Sequence, residues 1–462
     1  MQDLLALDAL EQARLLREGL VTSTELTRAY LDRIARLDGG LTAFVEVDVE
    51  GALRAARRKD LKWTPRGRQD LPPFHGLPTA IKDLHLFRGL GARFGSRAFR
   101  NFKAFVDDGL SKRIRAAGFV VLGKTTTSEL GTMPVVEPEI HPPTRNPWNR
   151  DHTAGGSSGG AGAAVAAGMI PIAPSSDGAG STRIPASFNH LFGIKPSRGR
   201  VPNQFGHADE HLIYTSGPIA HTVADAAALL DVLAGLTVGT PHWAPPPPRP
   251  FQRMIEERPR GLRIRVVTKT PLTPTAPAIE AAVLRVARAL EALGHHVEEG
   301  QYPTDANPEE FYPVWQHSAA SAPIPDWSEV QPLTRWLAER GRGITLAQVQ
   351  QGVAALEARI LAWFGDVDLV LTPTVAVPPP RVHAFRDLPP EQILAGILPI
   401  GAFTAPFNAS GQPAASFPMG LDPEGLPMGA QLVGGKHADA LVLQVAAQLE
   451  EALPFRGRQP KL

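Results

Sequence analysis

Residues 155–181 read GGSSGGAGAAVAAGMIPIAPSSDGAGS, a stretch in which Asp177 is the sole charged residue and almost every other side chain is small. Small side chains let neighbouring backbone approach closely and leave peptide N–H groups uncovered, free to face a ligand. The run around Ala161 to Gly168 reads as a buried helix held between two Gly/Ser loops, 155–160 and 177–181. Any fold this chain adopts has to bring other elements tightly around those loops.

The rest of the chain supplies such elements. Leu4, Leu5, Leu10 and Leu15 recur near helical spacing, and Thr22-Ser23-Thr24-Glu25 offers a capping box ahead of Leu26, Tyr30, Ile34 and Leu37, so residues 1–60 read as a helical layer. GLPTAIKDLHL (76–86) and GFVVLGK (118–124) read as short strands. GPIAHTVADAAALLDVLAG (217–235) holds an amphipathic helix with Thr222 as its cap, and APPPPRP (244–250) is a stiff polyproline segment suited to a lobe boundary. Beyond it come a strand in GLRIRVVTKT, a helix then a strand over 277–299, and a buried strand in VDLVLTPTVAVPPP (367–380). Strands interleaved with helices argue for one large α/β unit.

Composition narrows the function. Lys+Arg 47 against Asp+Glu 46 leaves a net charge of +1, which gives no positive field for nucleic acid or for an anionic membrane surface. Cys is 0, so disulfides, thiolate metal sites and a cysteine nucleophile are excluded. No apolar run approaches the length of a membrane span, and the first residues lack the early positive region of a secretion signal; a soluble, cytoplasmic protein is expected. The histidines show no metal-ligand spacing.

Two chemistries could use the small-residue loops. GGSSGG carries Gly-x-Ser-x-Gly twice, centred on Ser157 and on Ser158, as a nucleophile elbow would. A phosphate-cradling loop fits worse, because no Gly-Lys-Ser/Thr follows the glycines. Asp177-Gly178-Ala179-Gly180-Ser181 places successive small residues before a serine, the layout an oxyanion hole wants beside its nucleophile. Read as structure alone, either loop is a tight turn packed on a helix. Lys82, one of only ten lysines, stands among apolar neighbours on a strand; desolvation there favours the neutral amine, which can activate a serine in place of histidine. Asp83 follows it, but strand alternation sends that side chain to the other face.

Taken together these stretches resemble the amidase signature family of serine hydrolases. The block 143–202, PTRNPWNRDHTAGGSSGGAGAAVAAGMIPIAPSSDGAGSTRIPASFNHLFGIKPSRGRVP, is similar to that family's signature from end to end, LPTAIKDL to its lysine segment, and LTPTVAVPPP with FTAPFNASGQPAASFPMGLDPEGLPMGAQLVGG to its late motifs. The resemblance implies an α/β fold with a large mixed β-sheet core covered by helices. It implies one amidase domain over 1–462, with 236–345 as a variable substrate lobe. It also implies a Ser-Ser-Lys triad: Ser181 as nucleophile, Ser157 as bridging serine after a cis Gly156-Ser157 peptide, and Lys82 as base. Gly178, Ala179 and Gly180, with Ser181, would form the oxyanion hole, and Asp177 and Arg183 would hold the loop.

The implied activity is hydrolysis of a small-molecule carboxamide to acid plus ammonia or amine through an acyl-enzyme, with no metal or organic cofactor. The alternative within the same resemblance is the glutaminase-type A subunit of a tRNA-dependent amidotransferase. No nucleic-acid or membrane partner is expected, and a homodimer is left open. Ala179 replaces the first of two usual glycines and would be strained if that position needed positive φ. His152, Ala154, Asn189 and His190 also depart from the family pattern and are expected at the pocket wall. That wall is expected from Glu129 to Pro143, with Phe311, Trp315, Trp327 and Trp336 as nearby apolar surface.

Overall fold

The computed structural model describes residues 2–202, 210–237, 240, 242–303, 310–453 and 458–462. Parts of the 236–345 stretch, residues 238–239, 241 and 304–309, therefore lie outside the described residues.

Two sheets organise the chain. The smaller contains β1 (Phe44–Val47), β2 (Pro78–Lys82) and β3 (Val120–Thr125) in the order β1-β3-β2. The larger contains β4 (Ile172–Asp177), β5 (Phe192–Lys195), β6 (Thr215–Ala220), β7 (Arg263–Val266), β8 (His296–Glu299), β9 (Leu369–Pro373), β10 (Ala414–Leu421) and β11 (Pro427–Gly434). Its order is β4-β6-β5-β10-β11-β9-β7-β8, parallel only where β7 meets β8 and β9. This is the α/β fold with a large mixed sheet. β2 and β3 run parallel and are buried on both faces, which is why both read as near-continuous apolar runs.

The small-residue run sits where the two sheets meet. Every residue of helix Gly159–Ala166 is buried, and the Thr79 hydroxyl of β2 donates to the carbonyl of Ile172 on β4 at 2.8 Å. That contact sets the end of β2, with Lys82, beside the end of β4, with Asp177.

The N-terminal helices follow the sequence signals. Helix Ser23–Leu37 opens with the Thr22/Glu25 capping box, the Glu25 amide donating to Thr22 Oγ1 at 3.1 Å and the Thr22 amide to Glu25 Oε2 at 2.9 Å. Helix Val223–Leu233 departs from its expected amphipathic character. It begins at the predicted Thr222 cap, but most of its residues are buried, because it packs against β6 on one side and the Gly109–Ala116 and Asp439–Ala452 helices elsewhere. The proline run is a strap that is tied down. The Ala244 amide donates to Gly199, Arg200 reaches the carbonyl of Pro245, and Phe251 re-enters the main core with its amide on Asp231. Of the 236–345 stretch, β7 and β8 extend the edge of the large sheet, while helices Tyr312–Ser321 and Pro332–Gly341 stand over the serine loops. Among the described residues, no helix is long and apolar enough to cross a membrane.

The N-terminal layer is anchored by buried Asp225, whose carboxylate accepts from the amides of Ala9 at 3.0 Å and Leu10 at 2.9 Å. Asp225→Ala strands two amide donors and is expected to lower unfolding free energy by about 1–3 kcal/mol, read by chemical denaturation. Its catalytic rate should be unchanged, since Asp225 lies outside the pocket described next.

Candidate active site

Lys82 ends β2 and is fully buried. Three serine hydroxyls surround its amine: Ser157 Oγ at 2.7 Å, Ser158 Oγ at 2.8 Å and Ser176 Oγ at 3.0 Å. Burial pushes the amine down to about 7, and the nearby Asp177 charge only partly opposes it. Asp83 stays apart from this amine, as alternation requires, and lies 3.8 Å from Lys124 Nζ instead.

The Gly156-Ser157 peptide is cis. A Cβ on Gly156 would lie 2.7 Å from the Val135 nitrogen and 2.8 Å from the Met133 oxygen, so no larger residue fits at this turn. Ser158 joins the two loops: its amide donates to the carbonyl of Ser181 at 3.3 Å, and its hydroxyl donates to the carbonyl of Ser176 at 3.2 Å.

Asp177 holds the second loop. Its carboxylate takes a two-pronged contact from Arg183 at 2.9 Å on each side, plus the Thr182 amide at 3.2 Å and Asn408 Nδ2 at 2.9 Å. Burial alone would raise the Asp177 carboxyl, but Arg183, Lys195 and Asn408 outweigh it and hold the group well below the usual carboxylate range. Arg183 in turn reaches Gln431 Oε1 at 2.7 Å and Asn408 Oδ1 at 2.6 Å, fastening the loop to β11 and to the segment before β10. The late motifs thus serve the site by gripping Arg183.

This network corrects two expectations. The Gly180 amide donates to Asp177 Oδ1 at 2.6 Å, so the carboxylate has already taken one of the expected oxyanion donors. The amides of Gly178, Ala179 and Ser181 have no hydrogen-bond partner among the described residues. The positive φ of the loop, 127°, also falls on Gly180, where a Cβ would meet Thr404 Oγ1 at 2.4 Å. Ala179 has ordinary φ and is unstrained.

Ser181 and Ala179 open onto a cavity that, among the described residues, is lined by no charged side chain. Met133, Phe311, Trp315, Leu337 and Ile397 are among its walls. The chain matches the family described as Amidase over residues 25–443. It is 36% identical over 493 residues to the 6-aminohexanoate-cyclic-dimer hydrolase of Paenarthrobacter ureafaciens, covering 98% of this chain and 96% of that one.

The chain belongs to the amidase signature family. Two solved structures agree: 6-aminohexanoate cyclic dimer hydrolase complexed with substrate, with a TM-score of 0.91, 33% identity and 99% coverage of both chains, and a bacterial aryl acylamidase, with 0.89, 27%, and 98% and 99% coverage. This amidase is accordingly a hydrolase acting on amide C–N bonds.

Several expected wall residues fall elsewhere in the amidase. Residues 131–134 line the cavity, as do Phe311 and Trp315, while Glu129, 137–139 and 141–143 line an adjoining cleft. Trp327 is exposed, and half-buried Trp336 donates to Glu391 at 2.9 Å rather than lining the cavity. His152, Ala154, Asn189 and His190 line neither space; they brace the serine loop from behind, His152 Nδ1 lying 2.7 Å from the carbonyl of Pro379 and Asn189 Nδ2 donating to Ala154 at 2.8 Å. Ser176, Asn408 and Gln431 were missed from sequence; Ser176 alone had a signal, its position one residue before Asp177 on the strand facing Lys82. Among the described residues no group of three or more His, Asp or Glu is placed to hold a metal ion.

Arg183→Met leaves Asp177 charged, buried and without its main partner. A loss of about 3–5 kcal/mol is expected from the denaturation midpoint. A loss well under 1 kcal/mol would show that the pair does not hold the loop.

Proposed function

We propose that this amidase hydrolyses uncharged carboxamides through Ser181 as nucleophile, Ser157 as proton relay and Lys82 as base. The observation that carries the reading is the buried Lys82 amine within 2.7 Å of Ser157 Oγ, beside a loop that presents Ser181 to an apolar cavity.

The proton arrangement favours Ser157 over its neighbours. A neutral amine has two hydrogens to donate and one lone pair to accept with. Ser158 has committed its own hydrogen to the carbonyl of Ser176, so it stands as an acceptor from Lys82; in the proposed arrangement the more distant Ser176 takes the second N–H. The lone pair is left for the Ser157 hydroxyl. In the proposed reaction Lys82 takes the Ser157 proton while Ser157 takes that of Ser181, and Ser181 Oγ bonds to the amide carbon. The oxyanion faces the amides of Gly178, Ala179 and Ser181, each worth about 3 kcal/mol if well aimed. Collapse breaks the C–N bond, with the proton returning through Ser157 to the leaving nitrogen. Water, deprotonated along the same relay, then attacks the ester on Ser181 and releases the acid.

The cavity lining supports the substrate class. An unpaired charge moved into an apolar wall costs several kcal/mol, and glutamine would bring both an ammonium and a carboxylate. The free hydrolase is therefore favoured over the glutaminase-type subunit. A cyclic amide dimer, lacking free ends, and an aryl amide both carry the uncharged character that the lining suits.

Purified protein should release amine from apolar or aryl amides without ATP or tRNA; best turnover on glutamine would overturn the substrate reading. Ser181→Ala should lose on the order of 10⁴-fold or more in kcat/KM. Because the neutral amine is the base and its value is depressed to about 7, kcat/KM should fall about tenfold per pH unit below that point and level off above it. A profile that keeps rising to the ordinary lysine range would contradict a desolvated base.

A further inference from the structure

One side chain separates the cavity at Ser181 from a second space in the molecule. Tyr302, just beyond β8, lines the apolar cavity, of about 140 Å³, and also lines a cleft of about 420 Å³ at the ends of β7 and β8. It is buried, its ring lies edge-on to Phe403 with centroids 5.9 Å apart, and its hydroxyl donates to the carbonyl of Ala402 at 2.6 Å. Leu272, two residues from Thr270, lines the cavity, while Thr270 and Pro271 line the cleft, so the partition here is a single layer thick. The two sides differ in chemistry: the described residues lining the cavity are mostly apolar and none is charged, whereas the cleft carries Lys269, Glu280 and Glu299.

We infer that Tyr302 sets the length of the apolar group this amidase accepts, closing the cavity against the cleft. The inference rests on the assignment of the Ser181 cavity as the substrate site. The physical argument is that a pinned aromatic wall cannot swing aside without breaking its bond to Ala402 O, and a buried carbonyl left without its donor is costly. A straight chain is therefore accepted up to Tyr302 and excluded beyond it. With the ring removed, a longer chain continues into the cleft along the apolar stems of its walls, gaining about fourfold in affinity for each methylene newly taken from water.

The test is hydrolysis of a straight-chain series of N-acyl p-nitroanilides from acetyl to dodecanoyl. The unmodified enzyme should show a sharp length cut-off in kcat/KM. Tyr302→Ala should move that cut-off by several carbons, and Tyr302→Phe, which keeps the ring but loses its bond to Ala402, should move it by less. An unmoved cut-off in an active Tyr302→Ala enzyme overturns the inference and leaves the catalytic assignment intact. Absence of hydrolysis across the whole series by the unmodified enzyme overturns the catalytic assignment, and the inference with it. Should Tyr302→Ala fail to fold, the unmodified enzyme decides the question. An acyl amide of cut-off length ending in a diazirine should label Tyr302 or the 270–272 segment on irradiation, and labelling confined to other walls overturns the inference.

Discussion

The desolvated amine of Lys82 is the contact on which the site depends. An ammonium in that position would have to be compensated by charge, yet the groups within hydrogen-bond reach are three neutral serine hydroxyls. Asp177 helps only from a distance, and its own charge is taken by Arg183. In the proposed mechanism the cost of burying a cation thus becomes a supply of neutral base near physiological pH, with no need of a histidine. The fold serves this by ending β2 and β4 side by side at the seam between the two sheets, so that the lysine of one strand and the serines of the neighbouring loops share a dry space.

The second constraint is rigidity of the 177–181 loop. A loop of small residues has many conformations to lose, and here one carboxylate restricts it by taking the amides of Gly180 and Thr182 while clamped by Arg183 and Asn408. The buried pair does more for shape than for net stability, since burying ions offsets much of their attraction. What remains uncommitted after that clamping is the set of amides at Gly178, Ala179 and Ser181. The proposed oxyanion site is in this sense what the loop's own hydrogen bonding leaves over.

Much of this was legible in the chain. The strands around Lys82 and Val120, the Thr22 and Thr222 caps, and the buried small-residue helix follow from local pattern, and the signature block carried the family. What escaped the sequence depends on contacts between distant segments. Ser176 lies 94 positions from Lys82, and its place beside Asp177 does not by itself say that its hydroxyl reaches the amine. The capture of the Gly180 amide depends on where the Asp177 side chain turns, which residue spacing does not state. Trp336 and Trp327 read from sequence as apolar surface near the pocket, yet Trp327 is exposed, and Trp336 packs half-buried beside Leu333 and Leu337, which are the residues of that helix lining the cavity. Helix Val223–Leu233 reads as amphipathic, but elements far apart in sequence cover both of its faces.

Labelling with a fluorophosphonate followed by peptide mapping addresses the central assignment most directly, because such a reagent phosphonylates whichever serine the lysine relay activates. The account predicts a single adduct on Ser181, formed by the unmodified protein and absent from Lys82→Ala. An adduct on Ser157 or Ser158, or undiminished labelling of Lys82→Ala, would contradict it.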